Sequence, residues 1–115
     1  MKDVNGEIQY KDKVYKIVFN LNVMEAIQTE YGSLSAWGDV TGASDKEPEI
    51  KAILFGYAPM INEGIDIENE ENGTDTPHLN HKTVGRIVTE VGMQKAKEIL
   101  NNTVIESTKS EIKNE

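Results

Sequence analysis

Residues 8–19 read IQYKDKVYKIVF, and this stretch decides the fold because later elements have to cover one of its faces. Apolar and polar side chains alternate on both sides of Lys11-Asp12, a period of two that is typical of half-buried β-strands. The apolar set is Ile8, Tyr10, Tyr15, Ile17 and Phe19. Because an isolated two-stranded hairpin is marginally stable in water, we predict a hairpin covered by helices from the rest of the chain.

Two short helices are predicted directly after the hairpin. Asn22 is the expected N-cap of the first, and its apolar positions are Val23, Met24, Ile27 and Tyr31. Gly32 provides a left-handed stop. Ser33 is expected to cap a second helix that carries Leu34 and Trp37, and we expect Trp37 to lie in the core. Turn-forming residues from Gly38 to Asp45 then end this helix.

A third helix is predicted to start after Pro48, with a buried stripe formed by Ile50, Ile53, Leu54, Tyr57 and Ile61. Pro59 lies within this pattern. Proline removes a helical hydrogen bond, so we expect the helix to kink near Phe55 or to end before Pro59. Residues 62–80 contain six acidic residues and no basic residue. They predict a polar loop that is mobile over residues 66–76.

The last third of the chain predicts two more helices. Thr83 is the expected cap of a helix that contains Val84, Ile87, Val88 and Val91, and Gly92 ends it. The apolar positions of the final helix are Ala96, Ile99, Leu100 and Val104. We therefore predict a mainly helical α+β fold, an N-terminal β-hairpin followed by four or five α-helices. Residues 1–107 form one domain, and residues 108–115 form a polar, frayed tail.

Composition limits the classes of function. The 115 residues include 12 basic and 20 acidic residues, a net charge of −8, so neither nucleic acid nor a membrane surface is an expected partner. The absence of Cys excludes disulfides and thiolate metal sites. No apolar stretch is long enough for a membrane helix or a signal peptide, which favours a cytoplasmic location. Lys outnumbers Arg 11 to 1, which indicates AT-rich coding DNA from a low-GC bacterium or its phage.

No motif for catalysis, cofactor binding or metal binding is found. A calcium-loop count from Glu68 places Leu79 where a bidentate Glu is required, and His78 and His81 have no third ligand nearby. A nucleophile elbow, a phosphate-binding loop and a dinucleotide fingerprint are all absent from the sequence. We therefore expect a binding protein that is not an enzyme.

Two kinds of binding protein remain as alternatives. Residues 83–100 have the helix, glycine and helix order of a DNA-reading unit, and four bases lie in or beside them. These bases are Lys82, Arg86, Lys95 and Lys97. The acidic residues of 62–80 suggest instead an inhibitor that imitates the charge of DNA.

Several segments resemble the tail assembly chaperones of long-tailed phages from low-GC Gram-positive hosts. Residues 7–34 are similar to the opening of that family, from Glu-Ile-Gln-Tyr through Phe-Asn-Leu-Asn to Glu-Tyr-Gly-Ser-Leu. Residues 53–64 and 81–88 resemble later family segments, so the similarity covers residues 5–105. Pro59 and the length of the acidic segment depart from the family pattern.

Membership of that family would imply a role without catalysis. Its members bind the tape measure protein in the host cytoplasm before the tail tube polymerises, and they are absent from the finished virion. The tail tube protein and a second copy of the chain are further candidate partners. A helix broken at Pro59 would expose apolar side chains for the client, so Tyr57, Met60, Ile61 and Ile65 are the hypothesised partner-binding residues.

Overall fold

The computed structural model describes residues 4–43 and 49–113. Within these ranges an antiparallel hairpin precedes five α-helices and one π-helical turn, which confirms the predicted mainly helical α+β fold. The strands are β1 (Val4–Tyr10) and β2 (Lys13–Phe19). The helices are α1 (Leu21–Tyr31), α2 (Leu34–Gly38), α3 (Ile50–Asn72), α4 (His81–Val91) and α5 (Met93–Lys113), and the π-helical turn is Asp39–Ala43.

The hairpin forms as the alternation predicted. Its two-residue turn is Lys11-Asp12, and Lys11 adopts the positive φ of 55° that the turn requires. Ile8, Ile17 and Phe19 are buried against the helices, whereas Tyr10 and Tyr15 are only partly buried. One face of the hairpin is thus the base on which the helical layer packs.

Phe19→Ala should lower the free energy of unfolding by about 3–5 kcal/mol, because the Phe19 ring is fully buried and its removal leaves a cavity. Urea unfolding followed by circular dichroism measures this loss. Val14→Ala on the same strand is the control, since Val14 is half exposed and its loss should cost about 0.5 kcal/mol or less. Equal unfolding midpoints for the two variants would show that Phe19 does not contribute to the core.

Two helix starts differ from the predicted ones. α1 is capped by Asn20, whose Oδ1 accepts a hydrogen bond from the Val23 amide at 3.3 Å, and not by Asn22. α4 is capped by Asn80, whose Oδ1 accepts from the Thr83 amide at 2.9 Å, so Thr83 lies inside the helix. Both corrections move the cap upstream to an asparagine, which ranks among the best capping residues.

The predicted boundaries at Gly32, Ser33 and Gly92 are confirmed. Ser33 Oγ accepts from the Ala36 amide at 3.0 Å and caps α2. Gly32 and Gly92 have φ angles of 87° and 94° after α1 and α4. α5 extends to Lys113, so it includes part of the segment expected to be a polar tail. Residues 44–48, including Pro48, and residues 114–115 lie outside the described residues.

α3 is continuous through Pro59, so the prediction that the helix ends before this residue is wrong. Proline costs about 3 kcal/mol in a helix interior, because its nitrogen cannot donate to the preceding turn. Burial on both sides of Pro59 offsets this cost. The buried positions, spaced as one helix face, are Ala52, Ile53, Gly56, Tyr57, Met60, Ile61, Gly64 and Ile65.

The predicted acidic loop is helical up to Asn72, and only the segment after Gly73 is irregular. This segment is held on α3 by two asparagine side chains. Asn69 Oδ1 accepts from the Thr76 amide at 3.0 Å, and Asn62 Oδ1 accepts from the Leu79 amide at 2.9 Å. Each asparagine Nδ2 also donates to the carbonyl of the same partner residue. These paired bonds order a segment that has little apolar surface to bury.

Two aromatic residues link the helices within the core. Trp37 is buried as predicted, and its Nε1 donates to the Ala52 carbonyl of α3 at 3.0 Å. The Tyr57 hydroxyl donates to the Ala96 carbonyl of α5 at 2.5 Å. Burial raises the pKa of the Tyr57 phenol well above its usual value. The core is continuous from the hairpin to α5.

Candidate functional site

The four hypothesised partner-binding residues do not form a surface. Tyr57, Met60 and Ile61 are fully buried, and Ile65 is 6% exposed. The expectation that they are exposed is wrong because α3 does not break at Pro59, and its apolar face stays on the core. A partner could reach these side chains only if the domain opened.

A groove of about 890 Å³ lies elsewhere, between the hairpin turn, the first turn of α3, α4 and the start of α5. Its apolar lining comprises Ile50, Leu54, Val88 and Met93. Its charged lining comprises Lys11, Lys82, Arg86 and Glu90. We call this feature the α4 groove.

The sequence of α4 explains why the groove forms. Lys82, Gly85, Arg86 and Thr89 follow one another at spacings of three, one and three residues, so they share one helix face. The opposite face carries Val84 and Ile87, which are fully buried. At Gly85 the helix passes close to α3, since a Cβ there would make an ordinary van der Waals contact with Leu54 Cδ1 at 3.8 Å.

Large apolar side chains remain exposed in the α4 groove. Ile50 was predicted to belong to the buried stripe of α3, but it is 61% exposed. It begins the helix, two residues before the first buried position, Ala52. Met93 at the start of α5 is 37% exposed. Exposed apolar side chains gathered in a concave surface are typical of protein-binding sites.

The charge of the α4 groove is opposite to that of the whole chain. Three basic residues and one acidic residue line it, whereas the chain has a net charge of −8. The Lys11 ammonium lies 5.3 Å above the centre of the Tyr10 ring. Among the described residues, the salt bridges include neither Lys82 nor Arg86, so both cations can face a partner.

Other kinds of site have less support. Within residues 4–43 and 49–113, no cluster of three or more His, Cys, Asp or Glu residues could hold a metal ion. His78 Nε2 lies 2.8 Å from Asp66 Oδ1 on the surface. In the same ranges, no helix combines the length and the apolar character needed to cross a bilayer.

Sequence reasoning missed the α4 groove because it assigned Ile50 to the core and considered Lys82 and Arg86 only as contacts to DNA. The available signal was the shared spacing of Lys82, Gly85 and Arg86 opposite an apolar face. Comparisons with known protein families, curated proteins and solved structures find no match to this chain. The groove is therefore interpreted from its own chemistry.

Proposed function

We propose that this chain is a tail assembly chaperone of a long-tailed phage, and that it binds the tape measure protein in the host cytoplasm before the tail tube polymerises. The observation that carries this proposal is the α4 groove, which leaves Ile50 and Met93 exposed beside a continuous core. The resemblance of residues 5–105 to that family supports it and identifies the client. The chain acts by binding and carries out no reaction.

The dimensions of the α4 groove suit a helical client. From Lys82 to Glu90 the wall provided by α4 covers eight helical steps, which is about 12 Å at 1.5 Å per residue. This length matches about two turns of a docked helix, whose apolar residues at i, i+3, i+4 and i+7 would meet the apolar lining. A long helical protein with uncovered apolar faces is prone to aggregate, and covering one such face would keep it soluble.

The two alternatives receive less support from the fold. α4 and α5 are joined by Gly92 alone, whereas a DNA-reading helix-turn-helix has a turn of about three or four residues. Lys95 and Lys97 do not line the α4 groove, so the four bases near residues 83–100 do not form one patch there. The acids expected to imitate DNA are distributed over the second half of α3 and the segment after it.

Co-expression with the tape measure protein of the same phage or prophage genome tests the proposal. We expect the client to be insoluble alone and to co-elute with this chain from a sizing column when both are present. A client that is soluble alone and does not co-elute with the chain would overturn the proposed function.

A matched pair of variants tests the groove itself. Ile50 and Leu21 are the first residues of α3 and α1, and they are 61% and 65% exposed. Only Ile50 lines the α4 groove. Ile50→Asp should reduce client recovery at least tenfold while Leu21→Asp leaves it unchanged, with both variants folded by circular dichroism. Equal recovery with the two variants would place the client on another surface.

A further inference from the structure

We propose that the α4 groove selects, within its client, a helix whose apolar face is flanked by Asp and Glu side chains. The inference rests on the proposed function and specifies the chemistry of the client segment. It follows from the juxtaposition of Lys11, Lys82 and Arg86 with the exposed side chains of Ile50 and Met93.

Charge complementarity identifies the occupant. Lys82 and Arg86 are one helical turn apart on α4, and both are exposed. Lys11 reaches the same groove from the hairpin turn, so cations enter it from two elements. Carboxylates on a docked helix would meet these cations, whereas basic side chains would be repelled.

The negative charge of the whole chain also affects where an acidic helix can bind. The chain has a net charge of −8, so its average field repels an acidic segment, whereas three of the four charged residues that line the α4 groove are basic. At physiological ionic strength charges are screened over about 8 Å, so contacts inside the groove outweigh the repulsion from distant acids. The α4 groove is therefore the position at which we expect an acidic helix of the client to bind.

The apolar lining sets little sequence preference of its own. Met93 has an unbranched and adaptable side chain, which accommodates apolar partners of different shapes. Ile50 and Leu54 extend the contact surface on α3. Discrimination among clients of similar apolar content thus depends on the flanking charges more than on the shape of the apolar residues.

A protein helix fits the groove better than the two other acidic occupants. A phosphate backbone would pair with the cations but would leave Ile50 and Met93 without apolar contacts. The acidic half of α3 in a second copy presents Asp66, Glu70 and Glu71, but its neighbouring apolar residue Ile67 is already partly buried. Only a helix with both an exposed apolar face and flanking acids satisfies the whole lining.

Two synthetic helical peptides with the same apolar face test the inference, one flanked by Glu and the other by Lys. Affinities for the wild-type chain are measured by fluorescence anisotropy at low and physiological salt. We expect the Glu peptide to bind at least tenfold more tightly at low salt, with a smaller difference at higher salt. A 20-base-pair DNA duplex serves as a third probe.

Paired charge reversals locate the effect. The variant that combines Lys82→Glu and Arg86→Glu should lose the preference for the Glu peptide and reduce client co-elution at least tenfold. The variant that combines Lys95→Glu and Lys97→Glu makes the same change in net charge outside the groove and should behave as wild type. Melting curves confirm that both variants are folded.

Other outcomes of the peptide and variant experiments would contradict either the inference or the proposed function. Equal binding of the two peptides, no binding of either, equal losses in the two double variants, or tighter binding of the duplex would overturn the inference. If the wild type retains its client and the Lys82 and Arg86 variant does too, the selection fails while the proposed function stands. If the wild type never binds the client, the proposed function itself fails.

Discussion

Ile61→Asp should unfold the protein instead of acting only on a partner. The Ile61 side chain is fully buried in the core that α3 shares with the hairpin. A carboxylate at this position would lose its hydration without gaining a partner, and we expect a loss of more than about 4 kcal/mol in the free energy of unfolding. Circular dichroism and urea unfolding at neutral pH measure this change.

Ile50→Asp on the same helix is the control for Ile61→Asp. Both variants place an Asp on α3, but the Ile50 side chain is 61% exposed, so its variant should remain folded. A folded Ile61→Asp protein with the melting temperature of the wild type would contradict the buried position of Ile61. It would also restore the hypothesis that Tyr57, Met60, Ile61 and Ile65 face a partner.

Trp37→Ala should lower the free energy of unfolding by about 3–5 kcal/mol, because the indole is the largest of the buried side chains in the core. It also leaves the Ala52 carbonyl without the indole N–H that donates to it at 3.0 Å. The indole packs directly on Gly56 of α3, where an added Cβ would overlap Trp37 Cζ2. Chemical denaturation of Trp37→Ala tests the size of this loss.

The contact between Trp37 and Gly56 also predicts non-additive effects. Gly56→Ala alone should destabilise the protein by about 1–3 kcal/mol through overpacking. In the Trp37→Ala background the same change should be neutral or stabilising, because the space beside Gly56 is then open. Gly85→Ala is the control, since its Cβ would make an ordinary van der Waals contact with Leu54 at 3.8 Å. This variant should raise the free energy of unfolding by about 0.5–1 kcal/mol, because alanine is favoured over glycine inside a helix. If the losses in unfolding free energy from the Trp37 and Gly56 changes are additive, the two side-chain positions are not in contact.

Pro59 shows why local sequence signals were insufficient for α3. The missing N–H is a local property, and by itself it predicts a kink or an end of the helix. Whether the helix continues depends on the apolar residues before and after Pro59 reaching the same core, and they do. Because α3 is continuous, the hypothesised partner-binding residues lie on its buried face, and most of the acidic segment is part of the helix.

The sequence by itself determined the elements whose causes lie within a few residues. Strand alternation specified the hairpin, and Gly32, Ser33 and Gly92 specified helix boundaries through positive φ or a side-chain cap. The tertiary structure alone decided that α3 is unbroken and that Ile50, Gly85 and Arg86 meet at one groove. The physical reason is range: capping and turn conformation are settled by neighbouring atoms, whereas burial and surface shape depend on side chains brought together from distant parts of the chain.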